Sequence, residues 1–391
     1  MSSRRPKAVV AAGPGGAGAL ERRSSRRPKA VVAMSGGVDS SVAAALLVQR
    51  GYDVTGIMLK LWRGEAANSD SGCCNVGAAD DARRVADILD IPFYVLNFAQ
   101  RFEESVIRDF RATYAGGATP NPCVRCNQWI KFDSLLERAR TLGAEVLATG
   151  HYARVAGSGG RLRLLRGVDS DKDQSYVLWM LSQSQLAHCC FPVGDMSKTE
   201  TRALAGQLGL RTANKPDSQE ICFVRGGDLP AYISEHIPAA SKPGPVIDGS
   251  GVVVGEHGGV GRYTIGQRKG LGLSLGKPVY VTAIDASSNT LRVGARAQLS
   301  VGEVSLQEVS FVDSAPSPGA RLLSQHRAHG ETAPCRIISV SAGGARLIYD
   351  RPVDAVAPGQ SAAFYSWDDP DQLLGGGIVA ATIPAAVAQT G

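Results

Sequence analysis

AVVAMSGGVDSS, residues 30–41, is the stretch that decides the fold. Its apolar start predicts a short buried strand, and the two glycines predict a tight turn into a helix over 40–50. Glycines let backbone N–H groups approach a phosphate closely, and a helix N-terminus favours the negative charge of that phosphate. Asp39 is suited either to capping the helix or to holding a phosphate-bound Mg²⁺. The stretch therefore predicts a phosphate-binding loop, although it lacks the Gly-Lys-Ser/Thr ending of a Walker A motif.

Strand and helix patterns alternate downstream of this loop. Helices are predicted over 78–89, 102–114 and 131–142, and strands over 53–59, 92–97 and 145–149. Strands separated by single helices indicate an α/β fold, a doubly wound parallel sheet with helices on both faces. Later short strands between turn residues predict a small β-rich central domain and a C-terminal β-barrel. We expect the domains to span 29–216, 217–276 and 277–391.

Residues 1–28 precede this pattern and duplicate part of it. The segment SSRRPKAVVA at 2–11 recurs unchanged at 24–33, and only the second copy continues into the loop. The first copy runs into a Gly/Ala/Pro stretch without a fold signal, so we expect a disordered duplicate or a misplaced start. A transit peptide is the alternative, because the segment is rich in Arg and Ser and poor in acidic residues.

The composition is that of an ordinary globular protein, with 44% hydrophobic and 20% charged residues. The sequence contains no apolar run of about 18 residues, so no membrane helix is predicted. The formal charge of +6 belongs to the N-terminus: residues 1–29 hold eight basic and one acidic residue, which leaves 34 basic and 35 acidic residues elsewhere. A nucleic-acid footprint would therefore be a local patch. Eight cysteines in 391 residues argue against a secreted disulfide scaffold and for a reducing, cytoplasmic location.

Two cysteines stand out by their surroundings. Cys126 lies in TPNPCVRCN at 119–127, close before a predicted helix and next to Arg125, and both neighbours favour the thiolate. Cys222 lies in DSQEICF at 217–223, at the proposed domain junction. Cys123 and Cys126 have the spacing of a redox dithiol or half a zinc site, but the second pair of a Cys₄ zinc site is missing, so we expect no metal centre. The other cysteines are most simply structural: Cys73, Cys74, Cys189, Cys190 and Cys335.

Six motifs, taken in order, give the chain its resemblance to the bacterial tRNA-specific 2-thiouridylases of the PP-loop ATP pyrophosphatase superfamily. They are MSGGVDSS (34–41), TPNPCVRCN (119–127), ATGHYA (148–153), KDQS (172–175), DSQEICF (217–223) and GQRKGLG (266–272). The resemblance covers residues 29–391. It implies that ATP adenylates the C2 oxygen of wobble uridine 34 in the tRNAs for Lys, Glu and Gln, and that sulfur then replaces this oxygen.

The resemblance also implies roles for individual residues. Cys126 would be the nucleophile, and Cys222 would carry a persulfide delivered by a sulfur-relay protein or a cysteine desulfurase; the two would form a disulfide during turnover. ATP and Mg²⁺ would be held by Ala33, Met34, Ser35, Gly36, Gly37, Val38, Asp39, Ser40, Leu59 and Gly150. The tRNA would be contacted by Asn121, Pro122, Cys123, His151, Lys172, Asp173 and Gln174, and in the barrel by the weaker candidates His326, Arg327 and Gln360.

Simpler interpretations stay open for several of these residues. His151 could only bond backbone groups, and residues 172–174 could form a solvated turn. Cys123 stands where the family often has an aspartate facing the target base. Cys123, Cys126 and Cys222 could instead hold a [4Fe-4S] cluster with one open iron, which would change the sulfur donor to a cluster-bound sulfide. We favour the persulfide.

Two other classes of protein share part of this pattern. A small-molecule PP-loop synthetase, such as an argininosuccinate synthase-like enzyme, would have the loop but no need for the paired loop cysteines or a barrel. A non-enzymatic thiol or metal carrier would have no use for the nucleotide loop. The combination of loop, cysteines and barrel therefore favours the RNA-modifying enzyme.

Overall fold

The computed structural model describes residues 26–61, 76–157, 160–217 and 221–385. The expectations for residues 1–25, for Cys73 and Cys74, and for positions 218–220 of the DSQEICF motif lie outside the described residues. Among the described helices, none has the length and apolar character needed to cross a membrane.

The first part of the chain folds around a parallel sheet. Its elements are β1 (Lys29–Ala33), α1 (Val38–Gln49), β2 (Asp53–Lys60), α2 (Val76–Leu89), β3 (Phe93–Asn97), α3 (Ala99–Phe102), α4 (Arg108–Ala115), α5 (Pro122–Arg125), α6 (Leu136–Thr141), β4 (Val146–Ala148), β5 (Ala153–Ala156), β6 (Arg163–Arg166), α7 (Gln183–Leu186), β7 (Cys189–Cys190) and α8 (Lys198–Gln207). The π-helical segments Glu103–Ile107 and Cys126–Leu135 connect α3 to α4 and α5 to α6.

Within the described residues this sheet has five strands in the order β3-β2-β1-β4-β7, and every neighbouring pair is parallel. Alternate residues of β1 face opposite sides: Val32 packs with α1, α2 and α8, and Val31 packs with the helices of residues 99–141. Both side chains are buried, as in parallel sheets covered on both faces. The predicted doubly wound α/β fold is confirmed.

The strand order reverses at β1, because β2 and β3 lie on one side of it and β4 on the other. The loops that follow β1 and β4 therefore leave the same edge of the sheet next to each other. Open α/β sheets bind ligands in the crevice at such a reversal. The fold thus places the predicted phosphate loop and the ATGHYA motif side by side.

The described middle of the chain forms a four-stranded sheet and one α-helix. The elements are α9 (Leu229–His236), β8 (Gly244–Ile247), β9 (Val253–His257), β10 (Tyr280–Asp285) and β11 (Thr290–Gly294). The sheet order is β10-β11-β8-β9. The strand spacing had grouped β10 and β11 with the barrel, but β11 pairs in parallel with β8, since spacing does not specify a partner. The boundaries expected at 216/217 and 276/277 stay predictions.

The described C-terminal part closes into a six-stranded barrel, which confirms the predicted architecture. Its strands are β12 (Ser300–Phe311), β13 (Arg321–Gln325), β14 (Ala333–Ser341), β15 (Gly344–Asp354), β16 (Ser361–Ser366) and β17 (Gln372–Pro384). The order is β12-β15-β14-β13-β16-β17, and β17 pairs back with β12. Strand β6 of the β5–β6 hairpin pairs with β17, so the barrel is joined to the first part of the chain.

Strand β17 was not predicted from the sequence, because it contains three glycines at 375–377 and glycine runs usually mark turns. In the structure they allow close approach: a Cβ on Gly376 would lie 2.7 Å from Cγ of buried Trp179 and 2.8 Å from the Ala362 carbonyl oxygen. Glycine within a strand often marks such a contact. This contact packs the barrel against the core of the first part of the chain.

We expect Gly376→Ala to lower the free energy of unfolding by about 1–3 kcal/mol, because the added methyl group overpacks the contact with Trp179. The measurement is urea unfolding monitored by tryptophan fluorescence. Gly206 in α8 is the control, since a Cβ there meets nothing within 4 Å. Gly206→Ala should be neutral or stabilising by up to about 1 kcal/mol. Equal stabilities of the two variants would contradict the interpretation.

Candidate active site

The turn between β1 and α1 is held by its own side chains. Gly36 has φ +71°, and a Cβ there would lie 2.3 Å from the Ala78 carbonyl oxygen, so only glycine fits. Ser40 Oγ donates to Gly37 O at 3.2 Å and accepts from Ser35 N at 3.2 Å. A Cβ on Gly37 would meet only Ser35 Oγ within 4 Å, which leaves the outer backbone of the turn open. Such an open backbone fits a phosphate ligand.

The loop after β4 lies directly against this turn. A Cβ on Gly150 would lie 2.6 Å from Ser40 N and 2.7 Å from the Asp39 carbonyl carbon. The structure therefore brings Gly150 together with residues 33–40, as the ATP expectation requires. Leu59 lies in β2, the neighbour of β1, and its side chain packs into the core. Its expected backbone contact with adenine stays a prediction.

Asp39 does not cap α1, which begins with Gly37 as its N-cap residue and without a side-chain cap. Its carboxylate instead accepts from Lys198 Nζ at 2.8 and 2.9 Å and from Tyr152 Oη at 2.8 Å. Burial raises the pKa of the Tyr152 hydroxyl, which therefore stays a proton donor. Capping, one of the two roles expected for Asp39, is thus not seen. The carboxylate lies beside the turn between β1 and α1, which we call the nucleotide turn, and binding of a phosphate-bound Mg²⁺ stays a prediction.

Lys198 also reaches a second carboxylate. Its Nζ lies 2.7 Å from Asp217 Oδ1, and Asp217 further accepts from Lys172 Nζ at 2.9 Å and from Arg202 at 3.2 Å. Burial opposes the charge of Asp217, but hydrogen bonds from Lys198 and Lys172 outweigh it and lower the pKa of this carboxyl. Lys172, an expected tRNA contact, is thus bound to protein in this structure.

Lys215 lies on the turn itself. Its Nζ donates to the Gly36 carbonyl oxygen at 3.0 Å and to Asp81 Oδ2 at 2.8 Å. Sequence reasoning missed Lys198, Arg202 and Lys215, because nothing in one sequence indicates which distant lysine meets which carboxylate. The missing lysine of the Walker pattern was the one available signal that cations had to come from elsewhere.

Cys126 lies inside a helix, which corrects the expectation that it precedes one. The helix begins at Pro122, nine residues earlier than predicted, because Asn121 accepts from Val124 N at 3.3 Å and proline suits the first helical position. From Cys126 to Leu135 the helix is π-helical, a rare form that is frequent at functional sites. Cys123, in the first turn, is exposed, whereas Cys126 is half-buried.

Arg125 was expected to favour the thiolate of Cys126, but its charge is already balanced. The guanidinium donates to both oxygens of Glu308 at 2.6 and 2.7 Å, and Asp109 Oδ2 accepts from its Nε at 3.3 Å. The cation therefore has two carboxylates close by. Its help to the thiolate is smaller than that of an uncompensated arginine.

The loop before Cys126 is held by the barrel. Gln360 Nε2 donates to the carbonyl oxygens of Thr119 at 2.9 Å and Pro120 at 3.2 Å, and Thr119 N donates to Pro358 O at 2.9 Å. Gln360, expected to contact tRNA, thus binds this loop in the structure. Arg327, also expected to contact tRNA, is exposed and donates to a backbone carbonyl at 3.2 Å. Both tRNA contacts stay predictions.

Cys222 is half-buried and packs against the same hydrophobic cluster as Cys126. The neighbouring ring of Phe223 makes edge contacts with Phe110 and Tyr232, with ring centroids 4.8 and 5.4 Å away. These contacts hold the turn that bears Cys222 against the first part of the chain. Both cysteines chosen from the sequence thus pack against the large hydrophobic core that extends from the first sheet to the barrel.

The remaining described cysteines fit structural roles. Cys189 and Cys335 are buried, and Cys190 is half-buried. Burial raises the pKa of all three thiols, to about 12 for Cys335. Thiols of this kind stay protonated at neutral pH and are poor nucleophiles.

The expected tRNA contacts His151 and Asp173 are both buried. His151 Nδ1 lies 2.6 Å from Thr149 Oγ1, and burial lowers the pKa of this imidazole well below its usual value, which keeps it neutral. Asp173 accepts from Arg166 at 2.6 Å, and Gln174 Oε1 accepts from a backbone N–H at 3.0 Å. His151 thus bonds a side chain rather than only backbone groups, and Asp173 is buried in an ion pair rather than part of a solvated turn. The tRNA contacts of these residues stay predictions.

His326, the third tRNA candidate in the barrel, is half-buried. Burial, and to a smaller extent the positive charge of Arg327, lowers the pKa of its imidazole. In the described part of the chain, no group of three or more His, Cys, Asp or Glu side chains is arranged to hold a metal ion.

Comparison with known proteins gives matches along almost the whole chain. Family models match residues 28–226 as a tRNA methyl transferase HUP domain, 230–295 as a tRNA methyl transferase PRC-barrel domain and 301–379 as an aminomethyltransferase beta-barrel domain. The tRNA-specific 2-thiouridylase MnmA of Roseiflexus sp. (strain RS-1) is 46% identical over 367 residues, covering 89% of this chain and 98% of that protein. The one from Mycolicibacterium paratuberculosis is 49% identical over 358 residues, with 89% and 98% covered.

Solved structures give a weaker likeness. A 4-thiouridine synthetase–RNA complex with bound ATP is 16% identical, with 54% of this chain and 50% of that chain covered and a TM-score of 0.33.

The network around Asp217 predicts a pH-dependent stability. Because its folded-state pKa is lowered, the carboxylate stabilises the protein above its ordinary pKa of about 4, and this contribution is lost as the pH falls towards the folded-state value. We expect Asp217→Asn to lower the free energy of unfolding by about 1 kcal/mol at pH 7, and the difference from the parent protein to shrink below about pH 4. Urea unfolding at a series of pH values measures it.

Asp171→Asn is the matched control, since Asp171 is exposed in the same turn as Lys172 and should change stability little at any pH. A difference between Asp217→Asn and the parent protein that does not vary with pH would contradict the proposed network.

Proposed function

The chain belongs to the family of tRNA-specific 2-thiouridylases, and on that premise we propose how its residues convert a uridine of tRNA to 2-thiouridine. The enzyme is a sulfurtransferase that binds ATP and acts on tRNA. The observation that supports the mechanism best is that a phosphate-binding turn and a cysteine-bearing helix belong to the same domain fold. The turn lies at the reversal of the sheet, and Cys126 lies on the helix that covers one face.

We propose that the first step is adenylation of the target base. The C2 oxygen of uridine 34 bonds to the α-phosphorus of ATP, and pyrophosphate leaves with the electron pair of the broken P–O bond. The backbone N–H groups of residues 33–40 would bind the phosphates, and Gly150 lies directly against Asp39 and Ser40 because it has no side chain. Asp39 would bind Mg²⁺, because its carboxylate lies beside the turn and carboxylate oxygens are preferred Mg²⁺ ligands.

We propose that the second step replaces the activated oxygen. The outer sulfur of a persulfide on Cys222 bonds to C2, and AMP leaves with the former C2 oxygen. The Cys126 thiolate then attacks the inner sulfur, which breaks the persulfide S–S bond and leaves its electron pair on the 2-thio group. The products are 2-thiouridine and a Cys126–Cys222 disulfide, which two electrons from an external thiol must reduce before the next cycle.

Several finer assignments belong to the same proposal. The substrates would be the tRNAs for Lys, Glu and Gln, with the base flipped out against Asn121, Pro122 and Cys123, since C2 cannot be reached inside a stack. A sulfur-relay protein or a cysteine desulfurase would load Cys222, in the cytoplasm. The body of the chain is nearly neutral, so a general excess of positive charge would not bind RNA. The contacts would come from local residues such as Lys172 and Arg327.

The domain models carry methyltransferase names, but methyl transfer gives no role to the two cysteines or to an ATP loop. The alternative with a [4Fe-4S] cluster on Cys123, Cys126 and Cys222 gives roles to all three thiols. Anaerobic purification distinguishes this cluster mechanism from the persulfide mechanism.

We expect Cys126→Ala and Cys222→Ala each to abolish 2-thiouridine, because each removes one sulfur of the transfer. Each variant should still release pyrophosphate when ATP and unmodified tRNA are added, since adenylation does not use the thiols. The assay is nucleoside analysis of the tRNA together with pyrophosphate detection. Cys190→Ala is the control and should retain activity. Formation of 2-thiouridine at the parental rate by Cys126→Ala would contradict its role.

The sulfur donor is tested with protein purified without oxygen. With a persulfide, peptide mass spectrometry after loading should show one added sulfur atom on Cys222, and Cys123→Asp should retain thiolation. With a cluster, the protein should show broad visible absorbance and bound iron, and Cys123→Asp should lose both the iron and the activity. The second pattern would overturn the persulfide proposal.

A further inference from the structure

One ion pair crosses from the barrel to the helix that carries Cys126. Arg125 Nη1 donates to Glu308 Oε2 at 2.6 Å, and Arg125 Nη2 donates to Glu308 Oε1 at 2.7 Å. Glu308 belongs to β12, 183 residues further along the chain. Two parallel hydrogen bonds specify the orientation of the guanidinium as well as its distance, which a single contact does not do.

The surroundings of Arg125 make this pair consequential. The Arg125 side chain is 8% exposed, and its Cζ lies 4.6 Å from the centroid of the Trp129 ring. Burial opposes the charge of the guanidinium, but hydrogen bonds with Glu308 and the charge of Asp109 outweigh it and raise the pKa of Arg125. Burial raises the pKa of Asp109 despite the nearby arginine. Glu308 is the closer of the two carboxylate partners, with two bonds at 2.6 and 2.7 Å against one at 3.3 Å to Asp109.

The backbone of β12 is irregular at this residue. Glu308 has φ +51°, a left-handed conformation that side-chain-bearing residues adopt rarely. The pairing register between β12 and β17 shifts between Gln307 and Ser310. Such bulges redirect a side chain, and strained conformations persist where the surrounding structure enforces them. From this irregular position the Glu308 side chain, itself 43% exposed, reaches Arg125.

We propose that Glu308 is a positioning residue for sulfur transfer: through Arg125 it fixes the helical turn that bears Cys126. Arg125 immediately precedes Cys126, at the point where the helix becomes π-helical. A guanidinium held at both Nη atoms restrains rotation and sliding of that turn. A displacement of about 1 Å at a reacting atom costs about 10²-fold in rate, so this pair controls rate more than folding. The inference rests on the proposed role of Cys126.

The same strand offers a matched control. Glu303, also in β12, is paired with Arg346 of β15, so this pair stays within the barrel. Glu303→Ala removes a carboxylate and an arginine partner as Glu308→Ala does, but it leaves the helix of Cys126 untouched. A loss caused by general weakening of the barrel would appear in both variants.

The experiment uses the full chain with Glu308→Ala, Glu308→Gln and Glu303→Ala. We expect Glu308→Ala to lower kcat for 2-thiouridine formation roughly 10- to 100-fold while the KM for ATP stays unchanged, because the nucleotide turn is not part of the pair. Glu308→Gln keeps one acceptor and should recover part of kcat. Glu303→Ala should match the parent protein.

A second measurement does not depend on activity. Peptide mass spectrometry after brief iodoacetamide treatment gives the alkylation rate of Cys126 relative to that of Cys222. Glu308→Ala should raise this ratio, because the released turn exposes the half-buried Cys126. If Glu308→Ala does not fold, Glu308→Gln provides both readouts.

A parental kcat together with a parental alkylation ratio in Glu308→Ala would overturn the inference, as would equal losses in Glu303→Ala. An active Cys126→Ala protein would overturn the proposed nucleophile, whereas the alkylation ratio would still report whether Glu308 holds the turn. The two failures are therefore distinguishable.

Discussion

The ammonium of Lys198, shared by Asp39 and Asp217, is the interaction on which the candidate site most depends. A lysine that is only 9% exposed is tolerated in a protein interior when anions compensate its charge, and here one anion comes from the nucleotide turn and the other from the segment after α8. Loss of either carboxylate would leave the cation partly uncompensated. The ammonium of Lys198 therefore links the start of α1 to the segment after α8.

The parts of the candidate site come from different regions of the chain. The sheet reversal supplies the nucleotide turn, the helix from Pro122 supplies Cys126, and the barrel holds the loop and helix around that cysteine through Gln360 and Glu308. No single domain holds all of these parts. The barrel therefore contacts both the loop and the helix of the candidate site.

The sequence was sufficient for the α/β fold, because this depends on local periodicity. The roles given to the turn after β1, to Cys126 and to Cys222 come from motifs with fixed spacing and stay predictions. The sequence was insufficient wherever partners were distant. The pairing of β11 with β8 and the contact between Arg125 and Glu308 depend on chain packing that no local pattern encodes. The early start of the helix at Pro122 was missed because two prolines close together were interpreted as a loop, although proline suits the first turn of a helix.

The pairing of β6 with β17 also shapes how the chain is made. Gln372 of β17 pairs with Leu165 of β6, so β6 can pair only after the ribosome has made β17, about 200 residues later. At a ribosomal rate of about 5–20 residues per second, that interval is roughly 10–40 s. During this time the hairpin presents an unpaired edge, the kind of surface that recruits other strands. The pairing of β6 with β17 is thus a late event in the synthesis of the chain, and it removes an edge that has been open to other strands until then.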